Sequence, residues 1–269
     1  MQPVIFDSQY GGPPAHLHIK TGRRVQWAVL HSCQHGLLSI SHQAGHPRGV
    51  FVFMPGWAFR GEILWLLDKP DEDMVLISPQ CPPWRVERRD FMELIGCVRT
   101  KYEKVVLAGW SLGAVVVHEL LEDVSDQVDC AVFISPKARY GPDEIGFMKE
   151  YLMRDKAACL RYFYRECFRG QRVDYVRFRK RLEKRFIDSF SREELLEGLE
   201  FLYNHPLPKI STRKGVRTIL LYGKNDMVAP PGSSTPLVTG ENEIKHVVVE
   251  NAGHLPFLRW NEVTEGIDV

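Results

Sequence analysis

The hydrophobic pattern of this 269-residue chain changes period several times, and the changes mark out its elements. Residues 49–54 (GVFVFM), 104–108 (KVVLA) and 130–135 (CAVFIS) are almost unbroken apolar runs, the pattern of strands buried on both faces of a parallel sheet. Residues 74–77, 216–222 and 244–249 predict three further strands. Between them the period lengthens to that of helices. Residues 62–67 and 90–101 are expected to be helical, the second with Phe91, Leu94, Ile95 and Val98 on one face. Val115, Val116 and Leu120 open another helix directly after the 104–108 strand. Strand and helix alternate in this way from residue 49 to residue 136. Such alternation implies right-handed crossovers and a mostly parallel sheet flanked by helices, with any site at the strands' carboxyl ends.

The ends of the chain and one internal stretch break the rhythm. Residues 25–30 and 36–40 predict an antiparallel hairpin at the sheet edge, after a leader of some ten to fifteen residues containing Gly11-Gly12-Pro13-Pro14. From Tyr140 to Pro208 there is no plausible core strand; the pattern is helical and rich in aromatics. An all-helical insertion between two sheet strands most simply caps the carboxyl edge as a lid. The chain then divides into a core, 1–139 and 209–269, and a helical lid insertion, 140–208.

Composition narrows the function classes. A net charge of +1 argues against wholesale nucleic-acid binding, so any electrostatic message is local. It is found between Lys149 and Arg185, where thirteen Lys/Arg stand against five Asp/Glu. At 100° per residue Arg154, Arg161, Arg165 and Arg172 fall on one stripe of a helical face, with Gly170 a candidate helix breaker before the last of them. That stripe is either a solvated face or a docking surface for an acidic partner. The six cysteines show no C-x-x-C pairing, and Cys97 and Cys130 sit in apolar runs like reduced core thiols, which points to the cytoplasm. The sequence MQPVIFDSQYGGPPAHLH has neither a basic start nor an apolar core, and no run approaches membrane-spanning length. His16, His18, His31, His35, His42 and His46 lack a companion acid or cysteine at regular spacing, so no metal site is expected.

The chemistry concentrates at Gly109-Trp110-Ser111-Leu112-Gly113. Here a G-x-S-x-G turn joins a buried strand to a helix. A serine wedged there takes strained backbone angles, and a Cβ at either glycine would strike the neighbouring chain. The alternative is an ordinary tight turn. Asp226 follows the 216–222 strand, and His254 follows the 244–249 strand. Taken singly, either could be a loop former or a buried structural side chain. Together they give the order Ser, Asp, His at three strand ends, which is the set acyl transfer needs. His254 would take the Ser111 proton and return it to the leaving group, while Asp226 holds the imidazole in one tautomer. The negative oxygen of the intermediate needs two donors, for which the backbone N–H groups of Leu112 and Trp57 are placed.

With these residues in view the chain resembles an α/β-hydrolase from about Gly49 to Phe257. Gly-Trp-Ser-Leu-Gly at 109–113, Tyr-Gly-x-x-Asp-x-x-x-Pro at 222–230, Ala-Gly-His-x-Pro-Phe at 252–257 and Gly56-Trp57 together are similar to BioH-type carboxylesterases of biotin synthesis. The resemblance implies an α/β-hydrolase fold and the triad Ser111, Asp226 and His254, with Trp57 and Leu112 as oxyanion donors. Trp57 and Phe163 would line the acyl pocket. It also implies hydrolysis of the methyl ester of pimeloyl on acyl carrier protein. That acidic carrier would dock on lid arginines, here Arg154, Arg161 and Arg165, on an enzyme needing no cofactor and expected to be monomeric. Pro55 stands where the family usually has His, and Ala114 where it has a second glycine. The other readings are a general esterase or thioesterase, a carbon–carbon bond hydrolase with the same triad, and a non-catalytic protein that binds an acyl ligand.

Overall fold

The structure is a computed structural model and describes residues 17–21, 25–31, 48–67, 74–211, 213–233, 238–239 and 244–259. Its centre is an eight-stranded sheet whose strands, from one edge to the other, are Leu17–Thr21 (β1), Val25–His31 (β2), Met74–Pro79 (β4), Gly49–Met54 (β3), Lys104–Trp110 (β5), Cys130–Ile134 (β6), Arg217–Gly223 (β8) and Ile244–Val249 (β10). Strands β3, β4, β5, β6, β8 and β10 run parallel. The apolar runs land where their pattern puts them: β3 and β6 are buried along their whole length, and β5 and β8 except for their first residue. Strand β10, at the sheet edge, is buried only at its two ends, Ile244 and Val249, and the four residues between them are exposed or intermediate.

The antiparallel edge differs from the expectation. Strand β2 (Val25–His31) pairs antiparallel with β1 (Leu17–Thr21) on one side and with β4 on the other. The alternation in Leu17-His18-Ile19-Lys20-Thr21 carries the strand, and the register Thr21↔Val25 leaves only three connecting residues. Residues 36–40 and the expected leader lie outside the described residues.

Helices α1 (Arg88–Arg99) and α2 (Leu112–Val124) are the crossovers beside β5. The helix expected over residues 62–67 is found at Gly61–Leu66, in the tighter 3₁₀ form. Between β6 and β8 the chain is helical: α3 (Pro142–Arg154), α4 (Lys156–Cys167), α5 (Arg172–Phe178), a π turn at Arg179–Glu183, α6 (Lys184–Ser189) and α7 (Arg192–Asn204). Two-residue strands β7 (Ile210–Ser211) and β9 (Val238–Thr239) pair separately. Among the described residues no helix is long and apolar enough to cross a membrane.

The single arginine stripe does not form. Asp155 ends α3 and its side chain accepts a hydrogen bond from Ala158 N at 2.9 Å, capping a new helix. Gly170, at φ 83°, lies between α4 and α5. Arg154, the Arg161/Arg165 pair and Arg172 therefore lie on three successive helices, and only Arg161 and Arg165 share one.

These helices lie over the loops at the sheet's carboxyl edge. Tyr164 donates to Ala58 O at 2.9 Å, and the Trp57 indole N–H donates to Leu195 O at 2.8 Å. Arg60 reaches Gln80 O at 2.7 Å and Ser189 O at 3.1 Å, with its guanidinium stacked over Phe190 at 4.2 Å. A Cβ on Gly198 of α7 would come within 2.6 Å of Trp57 Cδ1 and 2.8 Å of Trp84 Cη2, so glycine there sets how near the helix can come. We expect Gly198→Val to push α7 off Trp57 and lower stability by about 3 kcal/mol in urea unfolding; an unchanged midpoint would show the two surfaces yield freely.

Candidate active site

The site forms at the carboxyl ends of β5, β8 and β10. Ser111 sits between β5 and α2 at φ 55° and ψ −115°, a backbone region that side chains rarely adopt. The surrounding chain fixes it there. A Cβ on Gly109 would lie 2.4 Å from Gly113 O, and one on Gly113 would lie 2.1 Å from Met54 O. Both contacts are with rigid backbone, so no larger residue fits at either position. Ser111 itself is 6 % exposed.

Asp226 follows β8 and is 2 % exposed. Its Oδ1 accepts from Val228 N at 2.9 Å and Ala229 N at 2.8 Å, and its Oδ2 meets His254 Nδ1 at 2.8 Å. A buried carboxylate needs such donors, and two of the three come from its own turn. The carboxylate fixes the proton on Nδ1 and leaves Nε2 as the acceptor. Nε2 is buried and has no hydrogen-bond partner among the described residues.

The histidine loop is clamped from several sides. Trp110 Nε1 donates to His254 O at 2.6 Å, and its ring lies 5.6 Å from the imidazole. His254 N donates to Cys167 O, at the end of α4, at 2.8 Å. Gln171 is fully buried and holds both neighbours: it accepts from Gly253 N at 3.0 Å and donates to Leu255 O at 3.0 Å. Phe257 packs edge-on against Trp110, at 5.2 Å between ring centroids. Burial holds the Cys167 thiol well above its ordinary pKa, so it stays protonated.

On the other flank, Gly56 brings the loop after β3 against Ser111: a Cβ there would be 3.2 Å from Ser111 Cβ. The backbone N–H groups of Trp57 and Leu112 have no backbone partner among the described residues. The Trp57 ring is buried and meets Phe163 edge-on at 4.8 Å; Phe163 is partly exposed. Arg161 lies 3.6 Å from Glu183 and Arg165 3.4 Å from Glu166, and both guanidinium groups remain more than half exposed. Arg154 is exposed at the end of α3. Among the described residues no group of three metal-ligating side chains lies together.

Sequence reasoning missed two residues at this site. The Ser111 and Tyr140 hydroxyls share a hydrogen bond of 3.3 Å. Tyr140 stands a few residues past the end of β6, so the rule that placed Asp226 and His254 could have found it. Gln171 carries no local signal, because its partners lie more than eighty positions away.

A sequence pattern of the Alpha/beta hydrolase family matches residues 44–265. No curated protein matches the chain by sequence. An esterase from Exiguobacterium antarcticum superposes with a TM-score of 0.66 at 18 % identity, covering 93 % of this chain and 96 % of that one. A bromoperoxidase from Bacillus anthracis gives 0.66 at 16 % identity over 94 % and 98 %. An esterase from Thermogutta terrifontis gives 0.66 at 16 % over 95 % and 97 %. At these identities the likeness is one of fold.

Gln171→Leu would strand a buried donor and a buried acceptor on either side of His254. It is expected to cost about 3 kcal/mol in urea unfolding; a loss under about 0.5 kcal/mol would mean that water or a neighbour replaces both bonds.

Proposed function

The chain belongs to the Alpha/beta hydrolase family, and from that premise we propose that it is a serine carboxylic-ester hydrolase using Ser111, His254 and Asp226. The observation that carries this reading is the 2.8 Å bond from His254 Nδ1 to Asp226 Oδ2, which leaves a bare Nε2 in a site shared with a strained, buried serine. In this mechanism Nε2 takes the Ser111 proton as Oγ attacks the ester carbonyl. Two backbone N–H groups, of Trp57 and Leu112, receive the negative oxygen. The Nε2 proton then passes to the departing alkoxide, leaving an acyl-enzyme that water cleaves by the same steps. Losing one oxyanion donor costs on the order of 3 kcal/mol in such enzymes. Esterases among the solved structures of like fold agree with this class of reaction.

The finer reading is an acyl methyl ester carried on an acidic acyl carrier protein, pimeloyl in biotin synthesis, in the cytoplasm and without a cofactor. Its support is electrostatic. Arg161 and Arg165 stand one turn apart on α4, exposed, at the long end of ion-pair distance from their glutamates. Both are free to exchange those partners for a partner's carboxylates or phosphate. Arg154 stands at the neighbouring helix end. Phe163 lies on the same α4 as these arginines and against Trp57, and on this reading it lines the acyl path. On this reading α3 to α7 act as the lid and the remainder as the core.

Ser111→Ala is expected to abolish hydrolysis of short p-nitrophenyl esters, by at least about a thousandfold, while the circular dichroism spectrum is unchanged. Retained turnover would remove Ser111 from its role. Arg161→Glu with Arg165→Glu is expected to raise KM for carrier-bound ester about tenfold or more and to spare p-nitrophenyl acetate. Unchanged carrier-substrate kinetics would remove the docking surface but leave the esterase.

A further inference from the structure

The mechanism above makes no use of Tyr140, although its hydroxyl is the group hydrogen-bonded to Ser111 Oγ, at 3.3 Å. Its flank is decided by the order of strands. Strand β5 lies between β3 and β6. The oxyanion loop with Trp57 follows β3. Tyr140 follows β6, and Asp226 and His254 follow β8 and β10 on that same side. Tyr140 therefore approaches the nucleophile from the imidazole's side, opposite Trp57. The departing oxygen must lie on that side too, because the imidazole has to reach it with a proton.

The residue is also held in place. The Lys137 ammonium sits over the Tyr140 ring at 4.7 Å from its centroid and is itself bound to Glu144 Oε1 at 2.5 Å. Burial raises the phenol's pKa well above its ordinary value, so it keeps its proton throughout the working range of an esterase and can only donate or accept a hydrogen bond.

We propose that Tyr140 is a catalytic residue of the leaving-group side, whose hydroxyl donates a hydrogen bond to the ester oxygen that departs with the alcohol. The inference rests on the esterase reading above. In the resting site the hydroxyl is satisfied by Ser111 Oγ. When Oγ bonds to the carbonyl carbon, its proton goes to His254 Nε2, and the other substituents of that carbon come within reach of the groups that touched Oγ. As the carbon–oxygen bond to the alcohol breaks, its electron pair moves onto the leaving oxygen. Tyr140 stabilises that charge by hydrogen bonding, and the Nε2 proton neutralises it. Tyr140 begins and ends the step protonated. Poor leaving groups, such as alkoxides, need this help; a nitrophenolate, already a stable anion, needs little.

The test compares kcat/KM, which reports the steps up to loss of the alcohol, for methyl, ethyl and p-nitrophenyl esters of one short acid. Tyr140→Phe is expected to lower the alkyl-ester values about thirtyfold and the p-nitrophenyl value only about threefold. Should the Phe variant fail to fold, Tyr140→Leu carries the same comparison. Equal losses across the series would assign the hydroxyl to the oxyanion or to packing, and no loss on alkyl esters would remove it from the reaction; either overturns the proposal. In both cases a dead Ser111→Ala control keeps the esterase reading standing. Wild-type protein that cleaves none of the esters overturns that reading, and this inference with it.

Discussion

The bond between Asp226 and His254 constrains this site more than any other interaction. An ionised carboxylate taken almost completely out of water is costly unless every lone pair is met. Here two backbone N–H groups and the imidazole meet it. The imidazole in turn loses its freedom to rotate or change tautomer. Its other nitrogen is left buried and unpaired, a cost that a purely structural histidine would have no reason to bear. A buried acceptor without a donor is an arrangement that stability alone does not explain.

The geometry also shows how the two parts of the chain depend on each other. The histidine backbone is pinned by Cys167 and its neighbours by Gln171, both from the helical stretch between β6 and β8. The loop carrying Trp57 is pinned by Leu195 and Tyr164 from the same stretch. Helices α4 and α7 thus hold both flanks of Ser111 through buried hydrogen bonds. A change in their packing is transmitted to the imidazole on one side and to the oxyanion loop on the other.

Much of this was legible in the sequence, for physical reasons. Parallel strands buried on both faces leave unbroken apolar runs, which β3, β5 and β6 display. A strand-to-helix turn that excludes side chains needs glycine, and Gly109 and Gly113 show it. Strand ends of a parallel sheet share one edge, so Ser111, Asp226 and His254 could be placed together without coordinates. What was not legible is long-range or marginal. The pairing of Val25–His31 with Leu17–Thr21 joins two segments that the sequence reading left apart. The arginine stripe broke because Asp155 caps a new helix, a local signal that outweighs angular periodicity. Gln171 acts through backbone atoms more than eighty positions away, and a backbone partner leaves no trace in residue type.

The central claim is that the imidazole held by Asp226 makes Ser111 a nucleophile. Treating the folded protein with a p-nitrophenyl alkylphosphonate and locating the adduct by mass spectrometry tests it directly. One adduct, on Ser111, forming at least about a hundredfold more slowly in His254→Ala, is the result expected. An unlabelled Ser111, or labelling at the same rate without the imidazole, would contradict it.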